Sequence, residues 1–306
     1  VDETAAGSVP GGNFVVALGS LAGQGSASEG VYRIPYDGST PVPLLLKSRI
    51  GDYVYGWDIW LEDSGTTVGI IATSIGGTRL YLISSDTGQD LRPPVPINGA
   101  GYRYIGTLDS GHRIFAGGDP ALVAVHPVTG QITTLSSGET IDTTLIRPVV
   151  GGSKVLASVT EPYWAEPLKF KLFGLDGSTT VETGLMLGNG TIPARPVEYS
   201  KESHAFYYAT GPRSPYQEGA RQQAIEILEG SGAIRVLADA DGAPANITQS
   251  LSPSGRSLLL IRGTAAQAEL INLVSGARQV IDLSDFKPAI PATYQAGTYG
   301  IDVYKY

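Results

Sequence analysis

Aromatic and basic side chains in two polar segments have the chemistry to bind a ligand. The segment EPYWAEP presents Tyr163 and Trp164 between two prolines, which restrict the backbone so that less entropy is lost on ligand contact. The segment TGPRSPYQEGARQQ brings together Arg213, Tyr216 and Arg221, a set that suits a carboxylate or an aromatic-rich peptide. The alternatives are that Trp164 packs over its own sheet and that these arginines are solvated surface charges.

Residues for nucleophilic catalysis are few. The sequence has three His and no Cys, and His112, His126 and His204 all lie at predicted hairpin turns or strand ends. A Ser-His-Asp arrangement therefore lacks a well-placed base, and no GxSxG elbow is present. The sequence predicts no catalytic residue and no metal site built from His or Cys.

Oxygen ligands keep one enzymatic alternative open. Carboxylate and amide side chains occur in or near predicted inner strands: Asp52, Asp58, Asp142, Glu198, Asn246 and Asp302. Hard cations such as Ca²⁺ take ligands of this kind. Their spacing is irregular, and the sequence has no Asp- and Asn-rich loop of calcium-binding type, so we expect no cofactor and keep a divalent cation as the alternative.

Composition narrows the class of protein. The 306 residues carry a net charge of −8, and 16% of them are charged, whereas Gly (40) and Pro (20) are abundant, as in turn-rich β proteins. Without clustered Lys and Arg, a chain of this charge is not expected to bind nucleic acid. No apolar run reaches the roughly 18 residues that a membrane-spanning helix needs.

The N-terminal segment VDETAAGSVPGGN is small, polar and rich in Gly and Pro. It predicts a flexible tail over residues 1–12, because such a segment cannot bury enough apolar surface to become ordered. We expect an exported protein, periplasmic or at the cell surface, which is secreted or tethered to the membrane through a removed N-terminal segment.

The elements that must position these side chains are recurring hairpins. In one class, a short polar turn separates two apolar runs: LEDSGTTVGII, LDSGHRIFAG, VVGGSKVLAS, YSKESHAFYY and LSPSGRSLLL. A second class follows, in which a glycine turns between runs rich in Val, Ile, Leu, Tyr and Thr. The turn glycines of this class are Gly38, Gly88, Gly130, Gly177, Gly232 and Gly276. Glycine supplies the positive φ that tight hairpin turns need.

Two hairpins in each period of roughly 40 to 50 residues give four antiparallel strands a unit, which is typical of a β-propeller blade. The sequence predicts an all-β fold with six blades in a single domain over residues 13–306. The first unit lacks an inner strand, and TYGIDVYKY (residues 298–306) is a spare strand. We expect this C-terminal strand to close the first blade, because closure removes two sheet edges. Seven blades are the alternative if residues 289–306 form more strands.

In such a propeller, one face gathers the loops between successive blades and between the two middle strands of each blade. Long insertions in the first, fourth and fifth units fall on this face, where binding specificity is commonly placed. Inner strands open there too, with aromatic and basic residues near the channel mouth: Tyr55, Trp57, Tyr102, Tyr104, Arg147 and Arg195. About half of these aromatics, and Trp60 beside them, are expected to pack between blades. The others predict an aromatic rim for sugar rings or a peptide.

One repeat resembles a known family. The segment SPSGRSLLLIRG, followed by AELINLVSGARQVI, is similar to the repeat of TolB-like propellers, in which a Ser-Pro-Asp-Gly-Lys turn precedes a strand. The match is clear only over residues 252–283, and Ser254 stands where Asp is usual. Because the motif specifies hairpins, the resemblance implies a fold and carries no chemistry.

Two hypotheses of function follow from the sequence. The first is a non-catalytic extracytoplasmic propeller that binds a peptide, protein or glycan through its aromatic, loop-bearing face. The second is a small-molecule hydrolase or lyase with a Ca-type divalent cation in the axial channel.

Overall fold

The structure is a computed structural model. It describes residues 5–6, 13–21, 23, 25–51, 53–62, 64–118, 121–136, 140–141, 147–161, 165–175, 181–187, 191–193, 197–212, 222–240, 247–262 and 267–282. Apart from a 3-10 turn at Gly25–Ser28 and the short helix α1 (Lys47–Ile50), the regular elements of these residues are strands. No helix in the described ranges has the length and apolar character that crossing a membrane requires.

The described residues fall into two compact units, one with residues 1–104 and 113–132 and the other with residues 105–112 and 133–306. That residues 13–306 form a single domain stays a prediction. The strands lie in six separate sheets that follow one another along the chain. Every strand pair whose register is described is antiparallel.

The first three sheets each have four strands in sequence order. The first contains β1 (Ala5–Ala6), β2 (Phe14–Gly19), β3 (Gly30–Pro35) and β4 (Val42–Leu46). The second contains β5 (Val54–Leu61), β6 (Thr67–Ser74), β7 (Gly77–Ser84) and β8 (Val95–Ile97). The third contains β9 (Arg103–Thr107), β10 (Arg113–Ala116), β11 (Leu122–Val125) and β12 (Ile132–Thr134).

The next two sheets have an inner edge built from two short strands, and the last sheet has four strands. The fourth contains β13 (Thr140–Ile141), β14 (Val149–Val150), β15 (Lys154–Glu161), β16 (Ala165–Gly174) and β17 (Val181–Leu187). The fifth contains β18 (Thr191–Pro193), β19 (Glu198–Ser200), β20 (Ala205–Pro212), β21 (Gln222–Leu228) and β22 (Ile234–Ala240). The sixth contains β23 (Ile247–Leu251), β24 (Ser257–Arg262), β25 (Gln267–Asn272) and β26 (Arg278–Asp282).

The core lies between neighbouring sheets because the middle strands are buried on both faces. In β6, Ile70 packs into the cluster shared with the first sheet, and the adjacent Ile71 packs into the cluster shared with the third. In β20 of the second unit, Tyr207 faces the sixth sheet and Tyr208 faces the fourth. Successive residues of a strand point to opposite faces, which explains why these strands read as continuous apolar runs in the sequence.

The predicted hairpin turns are confirmed where the structure describes them. The turn glycines have positive φ angles of 67° to 78°: Gly38, Gly88, Gly130, Gly232 and Gly276. The first unit is predicted to have strands at residues 14–18, 31–36 and 41–47, and these coincide with β2, β3 and β4 to within one residue at each end.

The inner edge of the first sheet differs from the prediction. The structure places Ala5 opposite Ala17 and Ala6 opposite Val16, at the position we assigned to the C-terminal strand and within the segment we expected to be a flexible tail. Backbone pairing at a sheet edge does not require large side chains, so a small, polar segment can occupy it. The strand predicted at residues 298–306 lies outside the described residues, and closure by it stays a prediction.

Candidate functional site

A β-bulge exposes Tyr55 at the start of the inner strand of the second sheet. Val54 pairs with Ser74 and Gly56 pairs with Thr73, so Tyr55 has no partner across the ladder. An extra residue of this kind bends the strand and turns a side chain away from the alternation of its neighbours. The side chain of Tyr55 is 60% exposed as a result.

Two further large side chains are exposed beside this bulge. Tyr53 is 64% exposed and precedes β5, and Ile75 is 79% exposed in the turn between β6 and β7. The backbone N–H of Ile75 donates a hydrogen bond to the carbonyl oxygen of Tyr53 at 3.3 Å, which joins the two segments. An exposed apolar group at one end of a sheet is a feature of interaction sites rather than of ordinary surface.

A charged pair borders these rings. The Nζ atom of Lys47 lies 5.0 Å from the centre of the Tyr53 ring and 2.9 Å from Oε2 of Glu29. The first contact is a cation–π interaction, which holds the Tyr53 ring against the lysine. We call the five residues Glu29, Lys47, Tyr53, Tyr55 and Ile75 the aromatic surface.

The loop between β2 and β3 reaches the aromatic surface through Glu29. Ser28 is buried, and its hydroxyl accepts a hydrogen bond from the backbone N–H of Leu21 at 3.1 Å. The hydroxyl of Tyr32 donates to the carbonyl oxygen of Ser28. The carbonyl oxygen of Glu29 accepts from the backbone N–H of Lys47 at 2.8 Å. This long insertion, which the sequence assigned to the binding face, is therefore anchored where it meets α1.

Three other aromatics predicted at the rim pack in or against the core of the first unit. Tyr102 is only 3% exposed, within the core between the second and third sheets. Tyr104 stacks on Trp60 with ring centres 4.3 Å apart, which also confirms Trp60 as a packing residue. Trp57 is half-buried against the core between the first and second sheets. We correct the predicted position of these rings, because alternate residues of an inner strand point between sheets.

The remaining predicted binding residues are in the second unit. Arg147 is exposed. The others lie outside the described residues: Tyr163, Trp164, Arg195, Arg213 and Tyr216. Their part in binding stays a prediction.

Two of the candidate cation ligands accept hydrogen bonds from backbone N–H groups of neighbouring sheets. Oδ2 of Asp58 accepts from the N–H of Tyr104 at 2.6 Å, and Oε2 of Glu198 accepts from the N–H of Leu251 at 2.8 Å. Burial raises the pKa of Asp58, although this hydrogen bond acts in the opposite direction. Within the described ranges, no group of three His, Cys, Asp or Glu side chains is arranged to hold a metal ion.

A carboxylate network in the second unit was not predicted from the sequence. Oε1 of Glu229 accepts from the backbone N–H groups of Ser153 and Lys154 at 2.6 and 2.8 Å, and Oε2 accepts from the Tyr199 hydroxyl at 2.6 Å. Burial acts to raise the pKa of Glu229, but these hydrogen bonds outweigh it and lower the pKa. Burial, and then the Glu229 contact, raise the pKa of Tyr199. Glu229 stands in a hairpin turn, and no local pattern reveals a partner 76 residues away.

Comparisons with known proteins show the fold. No family profile and no curated protein match the sequence. An oligogalacturonate lyase solved in complex with manganese is similar at a TM-score of 0.50 and 12% identity, over 87% of this chain and 73% of that one. The oligogalacturonate lyase from Vibrio parahaemolyticus is similar at a TM-score of 0.51 and 11% identity, over 91% of this chain and 78% of that one. The chain has a β-propeller fold.

This propeller also resembles TolB from Acinetobacter baumannii, at a lower TM-score of 0.43 and 11% identity, over 88% of this chain and 63% of that one. At such identities the likeness concerns the fold alone. The function of the propeller has to be argued from its own surface.

Proposed function

We propose that this protein is a non-catalytic, extracytoplasmic β-propeller that binds a peptide, protein or glycan through the aromatic surface. The observation that supports this proposal is the bulge that exposes Tyr55 next to Tyr53 and Ile75, each of which is at least 60% exposed. Burying one large aliphatic or aromatic side chain contributes about 1.5–3 kcal/mol of free energy. The three exposed side chains do not gain this free energy when the protein is unbound. A ligand that covers them recovers this free energy.

The chemistry of the surface suits a ligand with both apolar and polar groups. Two tyrosine rings offer flat faces for a sugar ring or an aromatic side chain, and their hydroxyls, which have no hydrogen-bond partner among the described residues, can hydrogen-bond at the edge. The Lys47–Glu29 pair at 2.9 Å supplies one charge of each sign beside the rings. The predicted loop residues of the second unit, Tyr163, Trp164, Arg213 and Tyr216, would extend the contact in a longer ligand.

The proposal includes a ring of six blades. Six described sheets support this number, and seven blades would require further strands over residues 289–306. We propose that residues 298–306 complete the first blade next to the two-residue strand β1. The extracytoplasmic location is part of the proposal and is tested by cell fractionation.

A metal-dependent lyase or hydrolase is the second candidate, because a solved protein of similar fold is an oligogalacturonate lyase in complex with manganese. Its test is the melting temperature with Mn²⁺, Ca²⁺ or EDTA. A cation that binds only the native state raises the melting temperature. A large, EDTA-reversible rise would favour the enzyme over the binding module.

The direct test is binding to immobilised glycan and peptide arrays. We expect a double variant, Tyr53→Ala with Tyr55→Ala, to lose binding while its melting temperature stays close to that of the wild type, because both rings are mostly exposed. Tyr36→Ala is the matched control, since Tyr36 is 58% exposed in the turn between β3 and β4. Equal binding by the double variant and the control would refute a role for the aromatic surface.

A further inference from the structure

An open cleft of about 320 Å³ lies in the first unit, where the outer strand of the first sheet meets the outer hairpin of the second. Its walls come from β4, from α1 and from the turn between β7 and β8: Pro43, Leu44, Leu46, Ser48, Arg49 and Gly88. Sites for small molecules start at about 300 Å³, so the cleft has room for a small ligand.

A β-bulge places this cleft directly over the core. Val31 pairs with Leu45 and Tyr32 pairs with Pro43, so Leu44 has no partner across the ladder of β3 and β4. An extra residue of this kind breaks the alternation of side chains. Leu44 and Leu45 both pack into the core between the first and second sheets, and Leu44 is only 3% exposed. The cleft therefore has an apolar floor.

The turn between β7 and β8 forms the opposite wall and is fixed against β4. Gly88 has a φ angle of +67°, and a Cβ atom built there would lie 3.0 Å from the carbonyl oxygen of Pro43. Asp86 in the same turn pairs with Arg33 of β3, with Oδ1 and Nη1 3.2 Å apart. These contacts within the protein preorganise the cleft, which lowers the free-energy cost of ordering it around a ligand.

Arg49 supplies hydrogen-bond donors at the edge of the cleft. Its Nη1 atom donates to the carbonyl oxygen of Gly88 at 3.3 Å, and its Nη2 atom forms an ion pair with Oδ2 of Asp90. The side chain of Arg49 is 40% exposed, so it can be reached from solvent. An arginine has several N–H groups in one plane, and those that these two contacts do not use can donate to a ligand.

The charges beside the cleft are paired. Asp90 balances Arg49, and Asp86 balances Arg33. Asp90 would repel an anionic ligand and Arg49 would repel a cationic one, and either ligand would lose hydration over the apolar floor. An uncharged ligand avoids these costs, and its oxygen can still accept a hydrogen bond from Arg49.

We propose that this cleft binds a small, uncharged molecule with an apolar ring or chain and a hydroxyl or carbonyl oxygen. The apolar part covers Pro43 and Leu46, and the oxygen accepts from Arg49 in a charge-assisted hydrogen bond. The hydroxyl of Ser48, an exposed residue of the same wall, offers a second hydrogen bond. This site goes beyond the aromatic surface, and its ligand need not be the ligand bound there.

Titration followed by NMR tests the proposal. Cyclohexanol, cyclohexanecarboxylate and cyclohexylammonium serve as uncharged, anionic and cationic probes of similar shape. We expect cyclohexanol to shift the backbone amide resonances of Leu44, Leu46 and Gly88 in a saturable way. Each charged probe should bind about two- to fivefold more weakly, as expected for one unfavourable contact between partly exposed charges.

Replacing one member of the ion pair should change which charge the cleft prefers. In Asp90→Asn, the amide oxygen can still accept from Arg49 but the negative charge is removed, so cyclohexanecarboxylate should bind better than cyclohexanol. Arg49→Met removes the donor and should weaken cyclohexanol binding about tenfold. Arg79→Gln is the matched control, because it removes an exposed arginine of the second sheet, and it should bind the probes as the wild type does.

A second control separates this site from the aromatic surface. The double variant Tyr53→Ala with Tyr55→Ala should bind cyclohexanol as the wild type does, because neither ring lines the cleft. If it lost cyclohexanol binding, the probe would be bound at the aromatic surface and the cleft proposal would be wrong.

Leu46→Trp should block the cleft with its larger side chain. If Leu46→Trp fails to fold by circular dichroism, Ser48→Trp, at an exposed position of the same wall, takes its place. Three results would overturn the proposal: no saturable shift at the residues of the cleft, tightest binding of a charged probe by the wild type, or unchanged cyclohexanol binding in Arg49→Met and the tryptophan variant.

Discussion

At the residue scale, the carboxylates of Glu229 and Asp58 have opposite environments. Glu229 accepts from two backbone N–H groups and a tyrosine hydroxyl, whereas Asp58 accepts from the backbone N–H of Tyr104 at 2.6 Å. At Glu229 the hydrogen bonds outweigh burial and lower the pKa. At Asp58 burial outweighs the hydrogen bonding and raises the pKa. The balance between burial and hydrogen bonding therefore sets the direction of the pKa shift at each carboxylate.

Replacing Glu229 tests this network. Glu229→Gln keeps the shape and an oxygen for the two backbone N–H groups, but it removes the charge, and its amide NH₂ cannot accept from the Tyr199 hydroxyl. We expect a loss of about 1.5–3 kcal/mol in the free energy of unfolding, which is the range for hydrogen bonds to a charged group. Urea denaturation measures it. Glu202→Gln is the control, because Glu202 is 39% exposed and its pair with Arg256 is 3.5 Å long, and it should change stability little.

The contribution of Glu229 should depend on pH. Because its pKa is lowered on folding, the stabilisation is complete above the ordinary value of 4.5 and is lost as the pH falls through the lower pKa of the folded protein. The gap in unfolding free energy between wild type and Glu229→Gln should therefore shrink as the pH is lowered from about 5 through the pKa of the folded protein. A gap that stays constant over this range would show that the charge of Glu229 is not what stabilises the turn.

Asp58 should behave in the opposite way. Its raised pKa means that the folded protein disfavours the anion, so the ionised carboxylate opposes folding at neutral pH. Asp58→Asn removes that charge and keeps an oxygen to accept from Tyr104 N–H. We expect Asp58→Asn to be at least as stable as the wild type at pH 7, and Asp58→Ala to lose about 1–3 kcal/mol because the N–H is left unpaired. Thermal unfolding of both variants checks this order.

At the element scale, the packing of β5 against β6 depends on a glycine opposite a tryptophan. Gly69 pairs with Trp60, and a Cβ atom on Gly69 would lie 2.0 Å from Cζ2 of the indole. Trp60 cannot move aside easily, because its ring is stacked on Tyr104 at 4.3 Å. Tyr104, which the sequence placed at the rim, is part of this same stack.

Gly69→Ala should therefore be strongly destabilising. Overpacking of a core typically costs 1–3 kcal/mol, and we expect a loss of about that size here. Gly19→Ala in β2 is the control, since nothing lies within 4 Å of a Cβ atom built there. Equal melting temperatures for the two variants would show that the indole adapts at no cost.

The bulge at Tyr55 shows why the aromatic surface was only partly predictable. The inner strand predicted from the sequence has Tyr55 and Trp57 two residues apart, and strict alternation would place both on one face. The bulge between Val54 and Gly56 breaks the alternation, so that Tyr55 is exposed and Trp57 packs in the core. Tyr53 and Ile75 lie outside the strands and had no periodic pattern to mark them.

At the scale of the whole molecule, the proposed closure of the propeller depends on the inner edge of the first sheet. β1 covers only Ala17 and Val16 of the six-residue strand β2. A longer C-terminal strand would satisfy more of that edge, and an edge without a partner favours aggregation.

Truncation tests the closure. Removing residues 298–306 should lower the melting temperature and increase aggregation measured by light scattering, because the proposed closing strand is lost. Removing residues 1–12 should have a smaller effect, since β1 makes two residue pairs with β2. A larger effect of the N-terminal truncation would reverse the assignment of the closing strand.

The sequence by itself determined the hairpins, the turn glycines and the fold class, because these depend on local alternation and on φ angles that few residues adopt. Only the tertiary structure decided which aromatics are exposed, which carboxylates are held by backbone donors, and that Arg49 meets the turn containing Gly88. Those outcomes depend on contacts between residues tens of positions apart, on a bulge that changes strand register, and on how closely two sheets approach. No short segment of sequence carries that information.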